Sequence, residues 1–348
     1  VSTIKSGRKK AQNSITIIDV AREAGVSYST VSRVFTNFAF VSDDTRERVL
    51  QAATQLGYVV NLPARSLAGG RSNVIGLLTP GLDNGYITEV LRGIDEELSH
   101  ANYDLMIYTT HRRAGKEAQY TKAITNGLAD GLILIVPLAP RDLLKVLPQH
   151  HFPHVVIDQS DSINMSTVVD ATNWQGAYEA TAYLIQLGHR RIGHIAGTLG
   201  MVSAAQRLDG YRATLHDHDI AYDESYVVNG DFHQTGGERG ANTLLDLPTP
   251  PTAIFACNDL SALGAMDAIR ARGLDIPRDV SVIGFDDIPH AQIAYPKLTT
   301  IRQPLAQMGR VAARMLLEII DHPEQPARHV TLATELILRD TCAAVQAK

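Results

Sequence analysis

Asp286 and Asp287 stand side by side after the apolar run Val280-Ser281-Val282-Ile283-Gly284-Phe285. A pair of carboxylates is what acid–base cleavage of a glycosidic bond requires. Adjacency argues against that use, because neighbours on a strand point to opposite faces and would not flank one bond. The histidines of Gln149-His150-His151-Phe152-Pro153-His154 precede a strand-like run and read as solvated loop residues, not metal ligands. Cys257 and Cys342 lack CxxC or Cys/His zinc spacing and read as reduced thiols, Cys257 as a small core residue. No GxxxxGK[ST], strand-linked GxGxxG or HExxH occurs. The expectation is a protein without catalysis, cofactor or metal.

The more informative spacing serves binding. Thr16 followed by Asp19 is a capping-box signature opening a first helix, with Val20, Ala21 and Ala24 on its inner face. Gly25-Val26-Ser27 has the chemistry of a tight turn, and Ser27 can cap a second helix. In that helix Val31 and Val34 turn inward while Tyr28, Ser29, Ser32 and Arg33 stay outside. This is the pattern of a helix-turn-helix, whose second helix offers its N-terminal residues to base edges in a major groove. Tyr28, Ser29 and Arg33 are the expected base contacts. Arg33 binding a guanine bidentately would contribute about 1–3 kcal/mol of discrimination, the alternative being a phosphate contact alone. Thr16, Ser27, Thr30, Ser32 and Asn37 are short polar groups suited to holding the DNA backbone, to capping helices, or to both.

Charge supports the reading. The 348 residues carry a net −5, yet residues 1–71 hold 10 basic against 5 acidic groups, a net +5, and the remainder a net −10. A basic head on an acidic body is the expected footprint of a DNA-binding module. Residues 1–15, with Lys5, Arg8, Lys9 and Lys10, read as a disordered basic arm, either a phosphate-contacting segment or a mere leader. Ser42 caps a third helix whose buried face is Val49, Leu50, Ala53 and Leu56, ended by Gly57. Pro63 to Gly69-Gly70 predicts a helix of about six residues, too short to be stable alone in water. There is no apolar run of membrane-spanning length and no signal-peptide core, so a cytoplasmic protein without membrane contact is expected.

From Asn73 onward, apolar runs alternate with amphipathic stretches such as Tyr86 to His100. The first series is 74–78, 103–108, 131–136 and 154–158; the second is 191–196, 253–256 and 280–285. Continuous apolar strands between helices mean parallel sheets covered on both faces. Two series predict two doubly wound α/β lobes with a ligand cleft between them.

With these residues in view the chain resembles the lactose/galactose repressor family of bacterial transcription regulators, from Thr16 to about Asp340. The head carries Asp19-Val20-Ala21, Ser27-x-x-Thr30-Val31-Ser32-Arg33-Val34 and Asn61-x-x-Ala64-Arg65-Ser66-Leu67. The body adds Cys257-Asn258-Asp259-Leu260-Ser261-Ala262-Leu263-Gly264, Val282-Ile283-Gly284-Phe285-Asp286-Asp287 and Leu298-Thr299-Thr300-Ile301-Arg302-Gln303-Pro304. The family usually has a proline where Val60 stands; here it comes later, as Pro63, which shifts the hinge start by a residue or two.

The resemblance implies an all-α helix-turn-helix head at 16–60, a hinge at 61–72 and a periplasmic-binding-protein-like body at 73–348. Within the body it implies one lobe at 73–171 and 302–332, and another at 172–301 and 333–348. It implies a homodimeric repressor on a palindromic double-stranded operator, with Leu67 wedged into the minor groove and Asn61 and Ala64 beside it. Arg207, Asn258, Asp286 and Gln303 fall at effector-bonding positions, with Asp158 and Tyr86 facing them from other strands. Such groups suit a mono- or oligosaccharide, with Phe232 or Trp174 stacking on the ring. A purine-type corepressor is the alternative effector. A solute-binding protein or a carbohydrate enzyme are the other readings.

Overall fold

The computed structural model describes residues 15–35, 40–58, 71–82, 85–137, 147, 152–159, 166–198 and 200–345. The chain divides into two compact units, Val1–Ser72 and Asn73–Lys348. The basic arm up to residue 14, Asn37, the hinge residues Asn61, Ala64 and Leu67, and His150 and His151 lie outside the described residues.

The described residues of the head form α1 (Ile17–Ala24), α2 (Tyr28–Phe35) and α3 (Asp43–Leu56). Their ends are fixed by local chemistry. Asp19 Oδ2 accepts from the Thr16 backbone N–H at 2.9 Å and from Thr16 Oγ1 at 2.7 Å. Gly25, at φ 66°, closes α1 by donating back to Ala21 and Arg22, a left-handed cap that only glycine adopts without cost. Ser27 Oγ accepts from Thr30 N at 3.1 Å and starts α2. Val20, Ala21, Ala24, Val31, Val34, Val49, Ala52 and Ala53 form the core. Leu50 does not join them: it is 46% exposed, and Ala52 takes the inward place. Spacing explains the difference, since 49, 52, 53 and 56 follow one helical stripe whereas 50 is turned roughly 100° from 49.

The body is two six-stranded sheets. The first holds β1 (Val74–Thr79), β2 (Asp104–Thr109), β3 (Gly131–Ile135), β4 (His154–Ile157) and β5 (Thr167–Ala171). The second holds β6 (Ile192–Ala196), β7 (Val227–Asn229), β8 (Ala253–Ala256), β9 (Ser281–Asp286) and β10 (Thr299–Arg302). β11 (His329–Leu332) completes the first sheet and β12 (Glu335–Ile337) the second. The orders are β11-β5-β4-β3-β1-β2 and β12-β10-β9-β8-β6-β7. All pairings are parallel except β12 against β10. The run at 103–108 was expected to be a buried strand; as β2 it has β1 as its single partner and is only half-buried. β5, β7, β10, β11 and β12 were not foreseen as strands, being three to five residues long and rich in Thr, Asp and other polar types.

The covering helices are α4 (Gly85–His100), α5 (Ala114–Ala123), α6 (Asn173–Gln186) and α7 (Val202–Asp217). After them come α8 (Gln234–Leu245), α9 (Asp259–Ala271), α10 (Pro289–Ile293) and α11 (Leu305–Asp321). α4 and α11 pack Val90, Ile94, Met308 and Ala312 over Ile75, Ile133 and Val155 of the first sheet. α6 and α7 cover one face of the second sheet, and α8 and α9 the other. The chain therefore passes between lobes three times: from β5 to α6, from β10 to α11, and from β11 to β12. Thr172 and Thr334 tie two of these passages together, with their hydroxyls 2.8 Å apart and Thr334 N donating to Thr172 Oγ1 at 2.9 Å. Among the described residues no helix is long and apolar enough to cross a membrane.

α4 and α11 approach so closely that a Cβ on Gly93 would overlap the Ala306 carbonyl, and one on Gly309 the Val90 carbonyl. Backbone cannot yield as a side-chain tip can. Gly309→Val is expected to destabilise the body by about 2–3 kcal/mol, read as a lower Tm for the body's thermal transition. An unchanged melt would show that the helices tolerate separation.

Candidate functional site

A cleft between the two lobes is lined by Pro80, Tyr86, Arg112, Val136 and Asp158 from one side, and by Ser203, Arg207, Phe232, Asn258 and Asp286 from the other. About 630 Å³ of space lies within its walls and mouth, open solvent included. Most of the lining stands at carboxyl ends of strands. Pro80 follows β1, Arg112 comes shortly after β2, Val136 follows β3, Asp158 follows β4, Asn258 comes shortly after β8, and Asp286 ends β9. That is where parallel sheets present ligand groups. The backbone there is strained: Arg112, Val136, Asp158, Phe232 and Asp286 have φ of 57°, 46°, 60°, 65° and 117°. Such conformations cost non-glycine residues roughly 1–3 kcal/mol each and persist where surrounding structure imposes them. Phe232 fits because Gly197 opposite it has no side chain; a Cβ there would collide with the ring.

The floor is built around Arg207, on α7 and 1% exposed. Its Nε and Nη2 donate to Asn173 Oδ1 at 2.9 and 2.8 Å, and its Nη1 donates to the Cys257 carbonyl at 2.6 Å. The guanidinium lies 3.8 Å from the centroid of the Phe285 ring. Nη1 is also 3.7 Å from Asp286 Oδ1. Asp286 Oδ1 in turn accepts from Gln303 Nε2 at 2.7 Å. A buried arginine needs a carboxylate nearby, because removing an unpaired charge from water is costly.

Burial pushes the Asp158 carboxyl up to about 6 against the pull of Arg207. Asp286 is pushed up to about 7 for the same reason, with Arg207 and Gln303 opposing. Burial raises Tyr86 as well, so its hydroxyl stays protonated. Tyr86 Oη, Asp158 Oδ1 and Gln303 Oε1 are buried without a hydrogen bond of good geometry, although Tyr86 and Asp158 lie close enough to act on each other's titration. Buried polar atoms are seldom left so in a finished core; of the three residues, Tyr86 and Asp158 line the cleft.

Tyr86, Asp158, Arg207, Phe232, Asn258 and Asp286 are all brought together, with qualifications. Tyr86 reaches in from the first turn of α4, not from a strand. Asn258 has both side-chain ends engaged: Oδ1 caps α9 by accepting from Ser261 N, and Nδ2 donates to the Phe232 carbonyl at 3.1 Å. Gln303 does not line the cleft; it lies behind Asp286, at the passage from β10 to α11. Trp174 is outside it too, 42% exposed on α6 and stacked on Tyr178. Asp287 turns away from the cleft, gripped by Arg302 at 2.8 Å and Arg339 at 2.6 Å. His154, expected in solvent, is buried as the first residue of β4, its Nδ1 2.8 Å from the Phe152 carbonyl. Cys257 is core: burial pushes its thiol to about 12. Asn173 and Arg112 went unnoticed in the sequence. Asn173 opens a helix straight after a strand too polar to be recognised, and Arg112 sits among ordinary surface residues.

In the head, Ser27 Oγ bonds Ser29 Oγ and Thr30 Oγ1, each at 2.8 Å, so these three hydroxyls order the start of α2. Tyr28 is half-exposed beside them, and Arg33 is exposed one turn along the same helix while Ser32 is partly covered. Thr16 is engaged with Asp19. The polar edge of α2 is thus preorganised at its N-terminal end, the end a helix-turn-helix presents to bases.

Comparison with known proteins agrees with both halves. Residues 16–61 match the bacterial regulatory proteins of the lacI family, and residues 181–342 match the periplasmic binding protein-like domain. A probable transcriptional repressor of Bacillus subtilis (strain 168), ExuR, is 34% identical over 332 residues, covering 94% of this chain and 98% of its own. The lac repressor dimer bound to operator and the anti-inducer ONPF superposes with a TM-score of 0.81 at 30% identity, covering 95% and 99%. A complex of the transcriptional regulator CelR with cellobiose gives 0.73 at 32% identity, covering 94% and 99%. A DNA-binding head, two parallel-sheet lobes and full-length repressor relatives make this chain a member of the lacI family of bacterial transcriptional repressors, DNA-binding regulators and not enzymes.

Proposed function

We propose that the chain represses transcription in the cytoplasm as a homodimer on a near-palindromic operator, and that a sugar in the inter-lobe cleft sets its affinity for that operator. The observation carrying this reading is the convergence of Asp158, Asp286, the unpartnered Tyr86 hydroxyl and the fixed Arg207 beside the Phe232 ring. Carboxylates accept from vicinal hydroxyls, Arg207 donates, and the ring covers an apolar face of the sugar. Dimerisation and operator binding are supported by the lac repressor dimer, and a sugar by the cellobiose complex.

On DNA, Tyr28, Ser29 and Arg33 read bases, while Thr16, Ser27, Thr30, Ser32 and Asn37 hold the backbone. Asn61, Ala64 and Leu67 belong to the hinge, which enters the minor groove with its twin and bends the duplex. Ligand binding shifts the balance between lobe arrangements that allow or forbid this pairing. The decisive experiment titrates operator binding by fluorescence anisotropy with pentoses, hexoses, disaccharides and purines. A sugar that changes operator Kd supports the reading. Response to hypoxanthine or guanine alone would replace it with purine control.

Two further outcomes follow from the same residues. Arg33→Ala should weaken operator binding by about 1–3 kcal/mol while leaving binding to scrambled duplex nearly unchanged. A uniform loss on both sequences, with a salt slope reduced by about one, would make Arg33 a phosphate contact.

The pH dependence has a definite sign. Asp158 and Asp286, held near 6 and 7, keep their protons in the folded protein at pH values where the unfolded chain has lost them. Their contribution to stability is therefore full below about pH 4 and declines as pH rises towards 7. Sugar hydroxyls donating to the ionised carboxylates reverse that preference. Binding should release protons and tighten from pH 5.5 to 7.5, as calorimetry in buffers of different ionisation enthalpy would detect, and Asp286→Asn should flatten the dependence. Affinity independent of pH would mean neither carboxylate takes part.

A further inference from the structure

The cleft's two ends differ in charge. At the floor, Asp158 and Asp286 balance Arg207. Beside the cleft, at Pro80, Gly81 and Arg112, is a hollow whose described lining, Pro80, Gly81, Leu82, Thr109, His111, Arg112 and His233, contains no acid. Pro80, Gly81 and Arg112 line both, so the two adjoin.

Arg112 is the group that stands out. Its guanidinium has no ion-pair or hydrogen-bond partner among the described residues, in a protein where most arginines near acids are paired. It is carried on two successive left-handed residues, His111 at φ 50° and Arg112 at φ 57°, a costly turn for residues with side chains. His111 Nε2 lies 3.1 Å from Thr109 Oγ1. Among the described residues, Asp231, two positions before His233, is committed elsewhere: it accepts from His233 N and pairs with Arg239. Deeper in the same cleft, the Tyr86 hydroxyl and Asp158 Oδ1 are more than nine-tenths buried and unpartnered.

We infer that the effector is an anionic polyol, its hydroxyls on Asp158, Asp286 and Tyr86 and its negative group on Arg112 at the mouth. This rests on the sugar reading above and narrows it to a ligand class. A carboxylate or a phosphate fits Arg112 equally, since a guanidinium fork binds either one bidentately. Asp158 and Asp286, raised to about 6 and 7 by burial, repel an anion little while they hold their protons, and lose them to solvent when ligand hydroxyls donate to their ionised forms.

Isothermal titration of the full-length protein tests this with D-gluconate, D-galacturonate, D-glucose 6-phosphate and the uncharged D-glucose and D-galactose. At least one charged probe should bind about tenfold or more tightly than its uncharged parent, as a charge-assisted hydrogen bond implies. The preference should vanish in Arg112→Gln and persist in part in Arg112→Lys. Carboxylate against phosphate probes identify which anion is used. Equal binding of charged and uncharged sugars, with Arg112→Gln indifferent, overturns the anion inference and leaves the sugar reading standing. Binding of purines and of no polyol overturns both.

Discussion

A buried cation organises the body. Arg207 is removed from water, and its cost is met by Asn173, the Cys257 carbonyl, the Phe285 ring and the nearby Asp286 carboxylate. The four partners come from three parts of the chain: the start of α6, the turn after β8, and the end of β9, which supplies both Phe285 and Asp286. Fixing one charge thus fixes three strand-end loops relative to each other. Asp286 is the carboxyl group beside this cation; burial lifts it to about 7 although Arg207 and Gln303 oppose, and its backbone is held at φ 117°. Strain at this one residue is sustained by the bonds around it.

Gln303 extends that network to the connection between lobes. It donates to Asp286 from the segment that carries the chain from β10 into α11. On the proposed reading, a ligand hydroxyl and Gln303 donate to the same Asp286 carboxyl group, so ligand contact and lobe passage meet at one residue. This gives the proposed control of operator affinity a physical route that requires no distant relay. Thr172 and Thr334, bonded across the other two passages, make the lobes' connection a compact strap in place of three loose linkers.

What the sequence disclosed followed the range of the interactions. The head was readable almost to the residue, because Thr16 with Asp19, Ser27 with Thr30 and Gly25 act within four positions of one another. The long apolar strands β1, β3, β4, β8 and β9 were equally plain, being buried on both faces. Short mixed strands were not, since β10 or β12 becomes a strand only through a partner already in place. The cleft divided along the same line. Asp158 and Asp286, which follow strong strands, were reached through the family resemblance. Gln303 was placed in contact with ligand although its partner is Asp286, a relation 17 positions apart that topology alone creates. Asn173 and Arg112 gave no signal, because a polar residue beside a weak strand and a basic residue in a surface loop look ordinary until the sheets are assembled.

The most direct measurement is the coupling between ligand and operator in Gln303→Leu, obtained as the ratio of operator Kd with and without saturating ligand. If the Asp286–Gln303 bond links the cleft to the lobe passage, the variant will still bind ligand within several-fold of wild type, but ligand will no longer change operator affinity. A ratio equal to that of the wild-type protein would show that the coupling runs through other contacts and would contradict this account.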